Sequence, residues 1–354
     1  MDNIILTTGG TGGHIFPALA VAEELRRRNP NANLLFVGSL YGPEERLMRQ
    51  AGIPFEGLPV RGLLGRGFKA VGAGAQMALA VVKAVGILRR FKPDVVAGFG
   101  GYAAFAPMLA ARILGVPGVL HEQNAIAGAS NRFLARLARR VCISLPNTSG
   151  FDMKKCVFTG NPVRAAVSAV GQVDRHRQTR RLLVMGGSQG AHALNAFMLE
   201  NLAEFRGAGV EIRHQTGLTD EGSVRAAYMA AGYAPECVSA FIDDMAGAYA
   251  WADVALCRAG ASTVAELCAA GLPSVLVPFP YAIHDHQTRN AEVLTRSGAA
   301  VLVPEGRMAV QRMSDILLRL LTMPGEREPM AAAALAAARP DAAARVVAVL
   351  EQTA

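Results

Sequence analysis

Short apolar runs alternate along the chain with longer stretches whose apolar positions recur at helical spacing. In the first half the runs fall at residues 4–7, 33–37, 55–59, 95–98, 118–121 and 140–143, and the clearest helical stretch at 17–28. A second series begins at 181–185 and continues through 211–215, 238–241, 254–257, 274–277 and 300–303. Brief β-rich runs separated by helices are the mark of parallel sheets covered by crossover helices. The pattern predicts an α/β protein in which one Rossmann-like plan is used twice. Residues 1–161 form the first unit, the charged, helix-poor run 162–180 a hinge, and 181–340 the second unit. A final helix at 341–354 is expected to pack back on the first unit. The length of 354 residues agrees, because single cores stop growing at about 250–300 residues.

Composition adds little to this picture but narrows the core. Hydrophobic residues are 51% of the chain and aromatics only 6%, so Ala, Val, Leu and Ile must fill most of the interior. The five cysteines (Cys142, Cys156, Cys237, Cys257, Cys268) show no CxxC pair and are odd in number, which predicts neither a disulfide framework nor a zinc site. They read as small buried hydrophobes in a reducing cytosol. The chain enters its first strand without a basic leader or apolar signal core, so no export is expected.

Charge changes the picture more. The net charge of +8 predicts an anionic partner, and its distribution narrows the choice. Between Glu56 and Asp94 there is no acid, while Arg61, Arg66, Lys69, Lys83, Arg89, Arg90 and Lys92 all fall there beside Leu63, Leu64 and Phe68. The uncharged run 70–82 is too short to cross a bilayer, which takes about 20 helical residues. Basic residues beside apolar ones suit an anionic membrane surface, and a buried helix with a solvated basic edge is the alternative. Nucleic acid is not expected, because the stretch lacks interleaved stacking aromatics.

Candidate chemistry lies where strands run into glycine. The strand at 4–7 leads into Gly9, Gly10, Thr11, Gly12, Gly13 and His14, and the strand at 181–185 into Gly186, Gly187, Ser188, Gln189 and Gly190. Such turns aim backbone N–H groups outward at a helix amino terminus and suit a phosphate. Neither is a dinucleotide fingerprint, since Gly38 and Ser39 stand where an acid is needed, and neither carries the GK[ST] of a P-loop. Two such loops in tandem units predict two ligands meeting across a cleft.

Further polar clusters follow other strands. Gly98, Gly100, Gly101 and Tyr102 form either a second phosphate cradle or a packing turn, and His121, Glu122, Gln123 and Asn124 place four polar side chains after the next strand. In the second half Gly260 permits a turn before Ala261, Ser262, Thr263, Val264 and Ala265, and Glu266 sits where its carboxylate can accept two sugar hydroxyls. His284, His286 and Gln287 lie close together, but without further Cys or His nearby they suit a sugar better than a metal. Adjacent Asp243 and Asp244 make no DxD metal motif and read as the end of a loop.

In order, GGTGGH at 9–14, FGGY at 99–102, HEQN at 121–124, GNPVR at 160–164, GGSQGA at 186–191, CRAGASTVAE at 257–266 and DHQTRNA at 285–291 resemble the MurG family of N-acetylglucosaminyltransferases along nearly the whole chain. The resemblance implies the GT-B fold, two Rossmann-like domains whose parallel sheets face each other across a cleft. It implies a hexosyltransferase of peptidoglycan synthesis, and so of cell wall biogenesis, cell shape and cell division. Such an enzyme moves N-acetylglucosamine from UDP-N-acetylglucosamine to the 4-hydroxyl of the MurNAc unit of undecaprenyl-pyrophosphoryl-MurNAc-pentapeptide (lipid I), with inversion, forming lipid II.

By motif position the resemblance assigns roles. Ser188 and Arg164 meet the donor diphosphate, the Ile242 backbone reads uracil, and Glu266 binds the ribose hydroxyls. Ala261, Ser262, Thr263 and Val264 offer helix-terminal amides with Ala265 beside them, and His286 and Gln287 lie near the transferred sugar. Thr11, Gly12, Gly13 and Asn124 are donor contacts from the first domain, while Gly100, Gly101, Tyr102 and His121 receive the acceptor. The resemblance also favours the membrane reading of 61–92, on the cytoplasmic face of the inner membrane, where the lipid acceptor is anchored. His284 departs from the pattern, standing where relatives often place an acid.

The attacking hydroxyl must lose its proton. His14 is the favoured base, because the ordinary imidazole pKa of about 6.5 suits proton transfer at neutral pH. Glu122 is the other candidate, or a partner that orients it. Helix-terminal amides and Arg164 can meet the charge developing on UDP, so no cofactor is required, with help from a divalent cation left open. A UDP-N-acetylglucosamine 2-epimerase, a non-catalytic UDP-sugar sensor and a transferase acting on diacylglycerol are the competing readings.

Overall fold

The computed structural model describes residues 1–10, 12–60, 70–173, 178–187 and 189–354. Thr11, Ser188, Arg61, Arg66 and Lys69, all given roles above, lie outside the described residues. The chain divides into two compact units, Met1–Arg164 with Pro340–Ala354, and Ala165–Arg339.

The first unit contains β1 (Asn3–Thr7), α1 (Gly12–Arg28), β2 (Asn33–Ser39), α2 (Glu44–Gln50), β3 (Phe55–Leu58), α3 (Ala70–Phe91), β4 (Val95–Gly98), α4 (Phe105–Leu114), β5 (Gly118–Glu122), α5 (Ala129–Leu137), β6 (Arg140–Ile143) and β7 (Cys156–Phe158). The second contains α6 (Ala165–Ala169), β8 (Arg181–Met185), α7 (His192–Gly207), β9 (Glu211–Gln215), α8 (Glu221–Ala230), β10 (Val238–Ser239), α9 (Met245–Trp251), β11 (Val254–Cys257), α10 (Ala261–Ala270), β12 (Ser274–Leu276), α11 (His286–Arg296), β13 (Ala300–Leu302), α12 (Met313–Thr322) and α13 (Pro324–Ala337). Helix α14 (Ala342–Thr353) returns to the first unit.

The seven-stranded sheet runs β3-β2-β1-β4-β5-β6-β7 and the six-stranded sheet β10-β9-β8-β11-β12-β13, with parallel pairing in both. Burial on both faces explains the continuously apolar strands. Ile4 and Leu6 of β1 join one core with Leu25 of α1 and Val346, Val347 and Leu350 of α14, while Ile5 joins the opposite core with Ala80, Ala84 and Ile87 of α3. In the second unit Leu182 and Val184 pack with Leu194 and Met198 of α7 and with Leu317 and Leu321 of α12.

Strand order reverses between β1 and β4 in one sheet and between β8 and β11 in the other. The ends align there, Thr7 opposite Gly98 and Met185 opposite Cys257. Open parallel sheets bind ligands outside the carboxyl ends of strands at such reversals. Each glycine-rich loop leaves its sheet at one.

The structure departs from the sequence reading at three places. A seventh strand, β7, extends the first sheet at its edge, with Cys156, Val157 and Phe158 only partly buried and therefore weakly patterned. The run 238–241 pairs only at Val238–Ser239, because Ala240 O is taken by Gly217 N at 3.1 Å and Gln215 Nε2 at 3.0 Å. The stretch 162–180 is not helix-poor: α6 and a 3-10 turn at Val170–Gln172 pack against α10, with Val167 and Val170 buried.

Candidate active site

At the switch point of the first sheet two glycine turns lie on each other. Gly100 O accepts from Thr8 Oγ1 at 2.9 Å and from Gly9 N at 3.3 Å. Gly101, at φ +77, approaches Gly9 so closely that a Cβ would overlap the Gly9 carbonyl oxygen. The FGGY turn is thus a packing turn. Gly10 N donates to Glu44 Oε1 at 3.1 Å, and burial pushes that carboxyl's pKa up. The first two amides of the GGTGGH loop are therefore partnered inside the protein.

Gly12 and Gly13 open α1, and the Phe16 ring follows one turn on, close enough to Gly12 that a Cβ there would lie 2.8 Å from its Cε2. The Arg164 guanidinium stacks 4.4 Å from the centroid of this ring. A fixed positive charge beside a helix amino terminus favours an anion.

His14, half-buried on the same turn, places Nδ1 2.9 Å from Gln123 Oε1. Gln123 Nε2 lies 2.9 Å from Phe99 O and 3.2 Å from His121 Nδ1, and His121 Nε2 lies 3.1 Å from Gly160 O. His121 is 1% exposed and both its ring nitrogens are partnered. Burial depresses its pKa to about 4, so it is neutral at physiological pH. The expected contact of His121 with the acceptor is corrected accordingly: the ring is enclosed and occupied.

Glu122 is equally enclosed. Its carboxylate accepts from Asn124 N at 2.9 Å, Asn124 Nδ2 at 3.1 Å, Gly128 N at 3.2 Å and Asn131 Nδ2 at 2.8 Å. An internal carboxylate with four donors shapes the turn that carries Asn124, and the expectation that it serves as the base is corrected on that ground. Gln123, which joins His14 to His121, was quoted within HEQN but given no role by sequence. Tyr102 is half-buried beside Gly10.

In the second unit the glycine turn after β8 rests on the end of β9. Gln215 Nε2 donates to Gly187 O at 2.9 Å and to Ala240 O, fixing the turn and the loop toward Ile242 in one frame. Among the described residues none bonds the backbone N–H or C=O of Ile242. Asp244 accepts from Gly247 N at 2.9 Å and caps α9.

Gly260 precedes α10 without a side-chain cap. Val264 N bonds Gly260 O at 2.9 Å and its side chain is buried, so Val264 does not supply a terminal amide as expected. The amides of Ala261, Ser262 and Thr263 are the ones that precede the first intrahelical bond. Ala265 is half-buried on the first turn, and Glu266, buried, accepts from Tyr249 Oη at 2.8 Å.

Three side chains bind the neighbouring loops together. Gln287 Oε1 accepts from Ala259 N at 3.2 Å and Phe279 N at 2.9 Å, and Asn290 Nδ2 donates to Ala259 O at 3.3 Å. The Arg258 guanidinium donates to Val277 O, Pro278 O and Glu305 Oε2. His284 and Asp285 both have left-handed backbones, at φ 55 and 53, a strain of about 1–3 kcal/mol each at non-glycine positions. This turn sets His286 at the first position of α11.

Outside these loops, burial pushes the thiols of Cys142, Cys257 and Cys268 up to about 12, which leaves them protonated. No group of three or more His, Cys, Asp or Glu suited to a metal occurs among the described residues. Along α3, Leu79 and Val82 are 60% and 69% exposed beside Lys83, whose Nζ donates to Gly57 O, while Arg90 pairs with Glu56. No helix of the described residues is long and apolar enough to cross a membrane.

Residues 4–143 match the glycosyltransferase family 28 N-terminal domain and residues 181–346 the glycosyltransferase family 28 C-terminal domain. A protein of Nitratidesulfovibrio vulgaris (strain DP4) named UDP-N-acetylglucosamine--N-acetylmuramyl-(pentapeptide) pyrophosphoryl-undecaprenol N-acetylglucosamine transferase is 53% identical over 351 residues, 98% of this chain and 96% of that one. The crystal structure of Acinetobacter baumannii MurG has a TM-score of 0.72 at 35% identity, covering 99% of each chain. A UDP-GlcNAc 2-epimerase from Neisseria meningitidis has a TM-score of 0.70 over 99% of this chain and 100% of its own, but at 15% identity the likeness shows the fold alone.

Proposed function

Since the chain belongs to glycosyltransferase family 28, among transferases of the MurG type, we propose that it transfers N-acetylglucosamine from UDP-N-acetylglucosamine to the 4-hydroxyl of the MurNAc unit of lipid I, forming lipid II. The fold is GT-B. The observation that carries this reading is the full-length match at 53% identity to a transferase so named, against 15% for an epimerase of the same fold.

In the reaction the bond from the sugar's anomeric carbon to the β-phosphate oxygen breaks, and its electron pair leaves on UDP. The acceptor oxygen forms the new bond from the opposite face, and its proton passes to Nε2 of His14. The second unit holds the donor. The amides of Ala261, Ser262 and Thr263 meet the diphosphate, where preorganised donors at a helix terminus stabilise the charge that develops. Glu266, oriented by Tyr249, accepts the ribose hydroxyls, and the Ile242 backbone pairs with uracil. Gln287, its Oε1 fixed by two loop amides, turns its Nε2 toward the sugar beside His286. On the first unit Arg164 offers a guanidinium held flat by Phe16. These roles call for no cofactor.

The acceptor's lipid implies a membrane surface. The basic stretch 61–92, with Leu79 and Val82 exposed on α3, supports peripheral attachment to the anionic cytoplasmic face of the cell membrane. The test of function is incubation with labelled UDP-N-acetylglucosamine and a short-chain lipid I. Labelled disaccharide lipid is expected, and active protein that makes none contradicts the proposal.

A further inference from the structure

We propose that Gln123 and His121 are positioning residues that hold His14 in one tautomer, protonated on Nδ1, so that the Nε2 lone pair is presented to the acceptor hydroxyl. The inference rests on the reading of His14 as the base. It is carried by a run of four groups in which the hydrogen-bonding capacity of each fixes the next.

The run begins at Gly160 O, which can only accept, so His121 Nε2, 3.1 Å away, must carry a proton. His121 is buried and neutral, and its Nδ1 is therefore a lone pair. The amide end of Gln123 that lies 3.2 Å from this nitrogen and 2.9 Å from Phe99 O faces two acceptors and must be its NH2. Its other end is then the carbonyl oxygen, 2.9 Å from His14 Nδ1, which must donate. In neutral His14 the remaining nitrogen, Nε2, is left as the acceptor. Any other arrangement sets lone pair against lone pair. Protonating His14 on Nε2 alone opposes Nδ1 to Gln123 Oε1, and reversing the Gln123 amide opposes its oxygen to Phe99 O and His121 Nδ1.

An amide cannot take the proton that His14 receives, so the frame directs the base without relaying charge. His14 gains a second N–H on Nε2 when the acceptor is deprotonated, and its Nδ1–H bond to Gln123 is unchanged. The anchor is well chosen, because Gly160 O is a backbone atom and His121 is kept neutral by burial.

The test reads tautomers directly. Full-length protein labelled with 15N in its seven histidines is examined at alkaline pH by long-range 1H–15N correlation, His14 being identified by the signal lost in His14→Ala. Native protein is expected to show His14 protonated on Nδ1 and His121 on Nε2. Gln123→Leu removes the acceptor: His14 should move to a mixture containing the Nε2-protonated form, with kcat lowered about tenfold and KM for UDP-N-acetylglucosamine changed less than about twofold. Gln123→Glu keeps an acceptor for His14 Nδ1–H and, protonated on the oxygen that faces Phe99 O and His121 Nδ1, keeps a donor there, so it should keep the native tautomers and most of the native kcat.

Native His14 protonated on Nε2, or Gln123→Leu with the tautomer unchanged, overturns the proposal. Should Gln123→Leu fail to fold, the native spectrum and the Gln123→Glu spectrum still decide it. If His14→Ala retains native kcat while the tautomers are as expected, the base reading falls, and with it the catalytic purpose of the frame.

Discussion

Glu122 and Gln123 are neighbours with opposite assignments, and the backbone explains why. Successive side chains leave a strand on opposite faces. At the end of β5 this puts His121 with Gln123 on one side, 3.2 Å apart, and Glu122 with Asn124 on the other, 3.1 Å apart. HEQN announced a functional cluster in the sequence, and period-two alternation would have sorted it. Sequence kept Glu122 as the second candidate behind His14, because an acid near a sugar invites a role as base. What sequence does not reveal is saturation: Asn131, nine residues away, and the Gly128 amide complete the shell around Glu122 only in the folded loop. Glu122→Gln turns an NH2 toward donors, and is expected to destabilise the first unit by about 1–3 kcal/mol in urea melts. It should lower turnover through displacement of Asn124 without moving the acid limb of the pH–rate profile. Loss of that limb with unchanged stability would restore Glu122 as the base.

Helix termini and glycine turns were legible as elements before their chemistry was. The start of α10 followed from Gly260 before an apolar run, but which amides face outward depends on where the first intrahelical bond forms, and that bond removes Val264. The paired glycine turns of the first sheet likewise divide once packed. One is consumed by contact with Gly9 and the other opens α1 toward His14. Helix α3 poses the opposite case, because its inward Ala80, Ala84 and Ile87 satisfy the core while Leu79 and Val82 stay exposed with no partner required by the fold. Replacing both exposed residues, Leu79→Asp with Val82→Asp, should leave thermal stability nearly intact and weaken sedimentation with anionic vesicles about tenfold or more. Unchanged vesicle binding would make α3 an ordinary solvated edge.

At the scale of the molecule, the repetition of strand–helix alternation made the two sheets visible in the sequence, since central strands such as β1, β4, β8 and β11 are buried and apolar on both faces. Neither β7 nor α6 was visible, the first because a short edge strand is only half-buried, the second because its helix is short and set in charged sequence. Each unit also contains a neutral buried imidazole. His121 is depressed to about 4, and His214, between Asn195 Oδ1 at 3.0 Å and Tyr228 Oη at 2.9 Å, to about 3, both chiefly by burial. An unfolded histidine takes a proton near pH ~6.5. Below that pH the unfolded chain binds protons that the native chain refuses, so this stability is complete above about pH 6.5 and is lost progressively toward pH 4 and 3. Urea midpoints should fall between about pH 6.5 and 5, before most carboxylates titrate. A flat midpoint over that interval would contradict the neutral, enclosed state of both rings.

One experiment separates group transfer from the other chemistries this fold supports. Protein, UDP-N-acetylglucosamine and short-chain lipid I are mixed in D2O and followed by proton NMR. Inversion at the anomeric carbon predicts a β-linked disaccharide formed in step with UDP, with no deuterium entering C2 of the sugar. A 2-epimer carrying solvent deuterium at C2, or a sugar nucleotide that binds and stays unchanged beside its acceptor, would contradict it.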